Sequence, residues 1–125
     1  MKNYLERTAS IVAAILFLQS VYFKLIAAPG SVFIFTEIGI EPYGRIIIGI
    51  LELIVGLLLI FRKTSLLGGI LGLGFILGAI FTHLFVLGIE VQNDGGLLFG
   101  MAIVVLISCI VTIFTQSKKL GQIIK

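Results

Sequence analysis

Charged residues are scarce in this chain. They make up 12% of its 125 residues, whereas 59% are hydrophobic and the mean hydropathy is +1.24. Soluble domains carry about 25% charged residues, and a small soluble fold cannot hide so much apolar surface from water. The composition therefore excludes a cytosolic enzyme, a nucleic-acid-binding module and a disordered tail. In a membrane protein, the formal net charge of +3 mostly sets orientation.

Cysteine and histidine are nearly absent. Cys109 is the one cysteine, so the chain forms no internal disulfide and has no Cys-x-x-Cys pair for thiol chemistry. His83 is the one histidine, and it cannot supply both axial ligands of a bis-histidine haem. The sequence also lacks ligand sets for haem, copper and iron–sulfur clusters. We therefore expect no metal site and no covalently bound cofactor.

Four apolar runs dominate the chain, each close to the roughly 20 residues that cross a bilayer. They cover residues 8–27, 44–61, 65–87 and 96–115. Such runs form helices, because backbone polar groups cannot stay unpaired in lipid. The first run is read as a retained helix, since it is too long for a signal peptide and contains Lys24. The sequence thus predicts an all-α, four-transmembrane-helix bundle in one membrane domain, residues 1–125.

The connections predict how these spans are joined. Arg62-Lys63-Thr64 is a tight turn, so the second and third spans should be antiparallel neighbours. The segment 29–43 is too short to span a bilayer and too apolar to lie free in water. It predicts a short interfacial or partly re-entrant helix between the first and second spans. The segment 90–96 ends in Asn-Asp-Gly-Gly, a turn and helix-start signal.

Basic residues are distributed unevenly between the two ends of the spans. Seven fall at one end: Lys2, Arg7, Arg62, Lys63, Lys118, Lys119 and Lys125. The other end has two basic and four acidic residues: Lys24, Arg45, Glu37, Glu41, Glu90 and Asp94. Because cytoplasmic loops carry the excess of Lys and Arg, both termini are predicted to be cytoplasmic in the cell (inner) membrane.

The second span carries the most informative pattern. Arg45, Gly49, Glu52 and Gly56 fall within about 60° of one another on a helix. The glycines permit close approach of another helix, and Glu52 lies roughly 12 Å below the outer surface. An ionised carboxylate at that depth costs several kcal/mol unless it is paired, hydrated or protonated. Glu52 is therefore a candidate functional residue, with a hydrogen-bonded carboxyl that fixes helix packing as the alternative.

Three further ionisable residues lie at the same level. Lys24 lies about one turn inside the first span, where it either extends to water or turns inward to Glu52. His83 lies at a similar depth in the third span. It is expected either to face a ligand or to make a structural hydrogen bond. With Arg45 they predict a polar pocket in the outer half, in which two basic groups flank Glu52. The cytoplasmic half is expected to have no ionisable residue in its spans, and Gln19 lies on a different face.

The third span is rich in glycine. Gly68-x-x-x-Gly72 continues through Ala79 to His83 on one face, and Gly74-x-x-x-Gly78 marks a second face. These faces predict close packing, either within one bundle or against a second copy in a homo-oligomer. The hydroxyls of the fourth span are expected to bond to their own backbone, and Cys109 to be a buried small hydrophobe.

Several short motifs follow one another along the chain. They are Phe23-Lys24-Leu25, Gly39-Ile40-Glu41-Pro42, Arg45 with Gly49-x-x-Glu52-Leu53, and Gly78-Ala79-Ile80-x-Thr82-His83. In this order and spacing they resemble the DoxX-like family of small four-helix membrane proteins, over residues 11–113. The resemblance implies site positions at Lys24, Arg45, Glu52 and His83. The family is named after a subunit of a quinol oxidase and thiosulfate:quinone oxidoreductase, and its members resemble redox partners or assembly factors.

Three functions are compatible with these residues. The first is an accessory subunit whose outer-half pocket serves a membrane redox partner protein and binds a quinone-like molecule. The second is a structural or assembly factor for another membrane protein complex. The third is a proton-coupled small-molecule carrier with Glu52 as its coupling site. Catalytic residues stay unassigned, and no nucleic-acid partner is expected.

Overall fold

The computed structural model describes residues 2–89 and 95–116. Within these ranges the helices are α1 (Lys2–Leu25), α2 (Pro29–Ile38), α3 (Tyr43–Ile60), α4 (Ser65–Thr82) and α5 (Leu97–Phe114). α4 continues into a five-residue π-helical segment, His83–Leu87. The described ranges contain no strand, which confirms the all-α prediction.

Among the described residues, four helical stretches are long and apolar enough to cross a membrane. They are Tyr4–Leu25, Tyr43–Ile60, Ser65–Leu87 and Leu97–Phe114. They form a bundle in which α1 and α4 each pack against both α3 and α5. Large apolar side chains, such as those of Ile15 and Ile107, are exposed on the outside. The chain is therefore a multi-pass membrane protein whose outer surface contacts the lipid bilayer.

The bundle has two distinct ends. The turn end is defined by Arg62-Lys63-Thr64, where α3 leads into α4 as its antiparallel neighbour. The α2 end is the opposite one, where α1, α2 and α3 meet. Some charges used to predict orientation lie outside the described residues, namely Glu90, Asp94, Lys118, Lys119, Lys125 and the side chain of Lys2.

α2 is the short helix predicted between the first two spans. Its ten residues are about 15 Å long, half of what a bilayer core requires. Pro29 occupies its first turn, where a missing N–H costs no hydrogen bond. It ends at Gly39, which has a φ of 92° and donates its N–H to the carbonyls of Phe35 and Thr36. α2 packs against α1, α3 and the π-helical segment, so it covers the α2 end of the bundle.

The helix ends differ from the predicted ones at two places. α1 begins at Lys2, six residues before the apolar run, because Glu6 and Arg7 are held in hydrogen bonds at the turn end. The third span was predicted as one helix over 65–87, whereas the structure changes from α to π geometry at His83. The N–H of Gly88 bonds to the carbonyl of His83 and closes that wider turn.

The bundle core depends on close approach at glycine. A Cβ added to Gly68 would lie 2.9 Å from the backbone N of Leu59, and one added to Gly72 would lie 3.0 Å from the ring of Phe17. Gly72 also leaves room for Cys109, which is fully buried as predicted. These glycines therefore pack within one bundle. Gly74 and Gly78 differ, because a Cβ at either would meet nothing within 4 Å.

We expect Gly68→Ala to lower the free energy of unfolding by about 1–2 kcal/mol, as overpacking does in a filled core. The new Cβ meets backbone atoms of α3, so the helices must move apart. Reversible unfolding in mixed detergent micelles measures the change. Gly100→Ala is the matched control, because its Cβ meets nothing within 4 Å and alanine favours the helix. Equal stability of the two variants would contradict close packing at Gly68.

Candidate functional site

A cavity of about 690 Å³ lies between the four long helices at the α2 end and is roofed by α2. Its apolar wall includes four phenylalanines: Phe17, Phe23, Phe35 and Phe75. Polar side chains also line it: Gln19, Ser20, Lys24, Ser31, Glu52, Thr82 and His83. The cavity therefore combines an aromatic and aliphatic interior with a few polar groups, as ligand pockets do.

Lys24 and Glu52 form an ion pair on the cavity wall. Nζ of Lys24 lies 2.6 Å from Oε1 of Glu52, and the two side chains are only 14% and 10% exposed. Lys24 also donates a hydrogen bond to the hydroxyl of Ser20, one turn earlier on α1. Oε1 accepts no well-aligned hydrogen bond from the described residues, so its contact with Lys24 is electrostatic. Of the two orientations expected for Lys24, toward water or toward Glu52, the structure shows the second.

Glycine on α3 brings this pair together. A Cβ added to Gly49 would lie 3.3 Å from Cβ of Lys24, and one added to Gly56 would lie 2.8 Å from the side chain of Leu18. Because both positions carry only hydrogen, α1 and α3 approach closely along this face. The spacing of Gly49, Glu52 and Gly56 therefore aims the carboxylate at α1.

Arg45 does not join the Lys24–Glu52 pair, which corrects the expectation of two basic groups flanking Glu52. Its Nε lies 2.8 Å from Oε1 of Glu41, and Nη1 donates to the carbonyl of Lys24. Arg45 lies seven residues from Glu52, roughly 10 Å along the helix, whereas Glu41 is one turn away. Arg45 is buried but does not line the cavity. It ties the loop before α3 to the end of α1.

His83 lines the cavity from the first residue of the π-helical segment. Its Nδ1 lies 3.2 Å from the carbonyl oxygen of Gly88, and its ring meets Phe99 edge-on at 5.6 Å. A carbonyl only accepts, so Nδ1 carries a proton, and Nε2 of a neutral ring is an acceptor. His83 is therefore a structural hydrogen-bonding residue that is also part of the cavity wall.

Gln19 lines the same cavity, although the sequence placed it on a different face. It lies five residues before Lys24, so a helical wheel separates the two by about 140°. The cavity is wide enough to reach both sides of α1. Gln19 lies at nearly the same depth in the membrane as Ser20, and this depth could have indicated that it lines the cavity.

A second polar cluster lies at the turn end, where none was expected. Glu6 is 6% exposed and accepts hydrogen bonds from Arg7, Ser65 and Gln116. Arg7 also donates to the carbonyl of Ile60 at 2.8 Å. This Glu6 cluster joins α1, α3, α4 and the end of α5. Glu6 lies 18 residues before Lys24, about five full turns, so the buried face of α1 extended backward would have identified it.

Two of the three hydroxyls predicted to bond to the backbone of the fourth span do so, one in α5 and one just after it. Thr112 donates to the carbonyl of Ser108, and Thr115 donates to that of Thr112. In the part of the chain that the structure describes, no three His, Cys, Asp or Glu side chains come together as metal ligands. The chemistry of the cavity therefore rests on the ammonium, carboxylate, imidazole, amide and hydroxyl groups described above.

Known proteins offer one similarity to this chain, to a family and not to a single protein. No curated protein and no solved structure matches it. A sequence model of the DoxX-like family matches residues 8–112. The match includes every residue of the cavity wall and all four spans, except for the first residues of α1 and the last two residues of α5. The family resemblance of the short motifs is thereby confirmed, and the chain belongs to the DoxX-like family.

Proposed function

We propose that this protein is an accessory membrane subunit that holds a quinone-like molecule for a redox partner protein. The observation that carries the proposal is the buried Lys24–Glu52 pair on the wall of a largely aromatic and aliphatic cavity. A charged pair is costly to bury in a membrane bundle, so its presence favours a role in packing or in ligand binding. Here both residues of the pair line a cavity.

The polar groups match both redox states of a quinone. A quinone carbonyl accepts a hydrogen bond, which Lys24 Nζ supplies. A quinol hydroxyl donates one, which the carboxylate of Glu52 on the cavity wall accepts. The phenylalanines of the wall pack against the ring. A cavity of about 690 Å³ lies within the range of small-molecule sites.

The same residues indicate which steps this chain performs and which its redox partner performs. Glu52 takes the proton from one hydroxyl of the bound quinol, and Lys24 holds the oxygen that loses it. The second proton and both electrons pass to the redox partner, which is the oxidant. This chain therefore binds and orients the ligand and manages its proton. Its role is accessory rather than that of a self-sufficient oxidoreductase.

The distribution of charge suggests which side of the membrane the cavity faces. Arg7, Arg62 and Lys63 lie at the turn end, and the α2 end carries Glu37 and Glu41 beside its basic residues. Because Lys and Arg favour the cytoplasmic side, the turn end and both termini are cytoplasmic in this proposal. The cavity then lies in the outer half of the cell (inner) membrane.

We expect Glu52→Gln to weaken binding of a short-chain ubiquinone analogue in its reduced, quinol form by about tenfold or more, because the quinol hydroxyl donates to Glu52. A hydrogen bond to a charged group is worth about 1.5–3 kcal/mol, and about 1.4 kcal/mol corresponds to tenfold. Equilibrium binding to the protein in lipid nanodiscs measures the change. Glu37→Gln is the matched control, since Glu37 is exposed on α2 and does not line the cavity.

Two results would overturn the proposal. One is a wild-type protein that does not bind the analogue, and the other is equal binding by Glu52→Gln and Glu37→Gln. An assembly role instead predicts that Glu52→Gln lowers the yield of a stoichiometric partner complex without any separate effect on ligand binding. A carrier predicts transport into liposomes that Glu52→Gln abolishes.

A further inference from the structure

The side of α4 next to the cavity carries two unfilled glycines. Gly74 and Gly78 both line the cavity and are both exposed on the outside of the bundle. A Cβ at either position would meet nothing within 4 Å. At Gly68, Gly69 and Gly72 on the same helix, atoms of neighbouring helices occupy the space that a Cβ would take. The cavity therefore reaches the lipid-facing surface at Gly74 and Gly78.

The helical rotation places this opening between α4 and α3. Gly69 faces Thr112 of α5, and Gly68 faces Leu59 of α3. On a helical wheel with about 100° per residue, Gly68 lies about 100° from Gly69. Gly78 lies about 80° beyond Gly68 in the same direction. Gly78 therefore lies beyond the α3 contact, on the shoulder of α4 that is turned to lipid. Gly74 lies further round on the same shoulder.

α2 covers this opening on the side toward water. It packs against α3 and against the π-helical segment that extends α4, so it bridges the two helices that flank the gap. Its residues Ile34 and Ile38 contribute apolar side chains to the cavity roof. The gap is thus closed at its end by an apolar helix and bounded on its side by the bilayer.

We propose that the gap at Gly74 and Gly78 is a lateral portal, through which a lipid-dissolved ligand moves from the bilayer into the cavity. The ligand class is an amphiphile with a carbonyl or hydroxyl head and an apolar tail. Its head reaches the Lys24–Glu52 pair, while its tail lies across the two glycines and stays in the lipid. The head chemistry rests on the proposed function, whereas the portal rests on the cavity and on the packing of α2, α3 and α4 around it.

A fluorescence experiment tests the portal without relying on the natural ligand. The chain contains no tryptophan, so Phe17→Trp introduces a single reporter at a cavity-wall position that is 2% exposed. The protein is reconstituted into phospholipid vesicles with a doxyl-labelled alkane, a quencher that dissolves in the bilayer. Iodide in the surrounding water is the second quencher. Val105→Trp, on the α5 wall, is the second reporter, used if Phe17→Trp does not fold.

We expect the bilayer-dissolved quencher to reach the reporter and iodide to quench it severalfold less. Gly78→Leu, added to the reporter protein, should remove most of the quenching by the alkane, and Gly74→Leu should act in the same direction. Gly100→Leu is the control, because Gly100 is equally unfilled and lies on α5 outside the cavity wall. It should leave quenching unchanged.

The portal is overturned if iodide quenches as strongly as the alkane, since the cavity then opens to water. It is also overturned if the alkane quenches the Gly78→Leu and Gly100→Leu reporter proteins equally. A third contrary result is that the alkane does not quench the reporter protein without a glycine substitution, as when a second copy of the chain covers α4. Failure of the quinone analogue to bind overturns the proposed function and leaves these quenching results unaffected. The two proposals therefore fail separately.

Discussion

Replacing Lys24 by methionine will lower the free energy of unfolding by about 3 kcal/mol or more, the cost of removing one partner from a buried ion pair. The side chains of Lys24 and Glu52 are 14% and 10% exposed, so water replaces little of the lost interaction. Methionine keeps the length and the apolar part of lysine, so the loss comes from the charge. Reversible unfolding in mixed detergent micelles gives the number.

The double variant separates the charge from the packing. Lys24→Met with Glu52→Gln removes the unpaired carboxylate, so it should be more stable than Lys24→Met alone. Glu37→Gln, which removes a carboxylate from the exposed face of α2, should change stability little. If the double variant is no more stable than Lys24→Met, the loss in Lys24→Met does not come from an unpaired carboxylate.

Replacing Glu6 by alanine will cost about 2–3 kcal/mol, because it leaves buried hydrogen-bond donors unsatisfied. Its carboxylate lies 3.0 Å from Nε of Arg7 and 2.6 Å from the hydroxyl of Ser65, and Ser65 is fully buried. The same unfolding measurement tests this variant. Binding of the ubiquinone analogue to the folded fraction should be unchanged, since the Glu6 cluster lies at the other end of the bundle from the cavity.

Two results would contradict this view of the Glu6 cluster. One is a Glu6→Ala protein as stable as Glu37→Ala, which would mean that the cluster is solvated and dispensable. The other is a loss of ligand binding in Glu6→Ala at full stability. That result would couple the turn end to the cavity, as an alternating-access carrier requires.

The helices were predictable because membrane spans are set by length and hydropathy alone. The four apolar runs, the short α2 and the tight Arg62-Lys63-Thr64 turn all follow from those properties. The change to π geometry at His83 was not predictable, since it depends on one backbone bond to Gly88. The early start of α1 depends on Glu6 and Arg7, whose partners come from α3 and α4.

The candidate site was predictable in part. The cost of burying a carboxylate singles out Glu52, and Lys24 is the basic residue that faces it. Arg45 shares the helix face of Glu52, but two residues on one face can still be too far apart to touch. Glu41 is nearer to Arg45 and pairs with it. Glycine spacing does not tell filled from unfilled positions, so the difference between Gly72 and Gly78 required the packing of neighbouring helices.

The most direct measurement is to map where a photoactivatable quinone analogue, supplied in its reduced quinol form, attaches to the protein in native-like lipid, by peptide mass spectrometry. We expect adducts on the cavity wall, for example at Phe23, Met101 and Thr82, and their loss in Glu52→Gln. Adducts confined to lipid-facing residues such as Ile15 and Ile107, and equal in wild type and Glu52→Gln, would contradict a quinone-binding cavity.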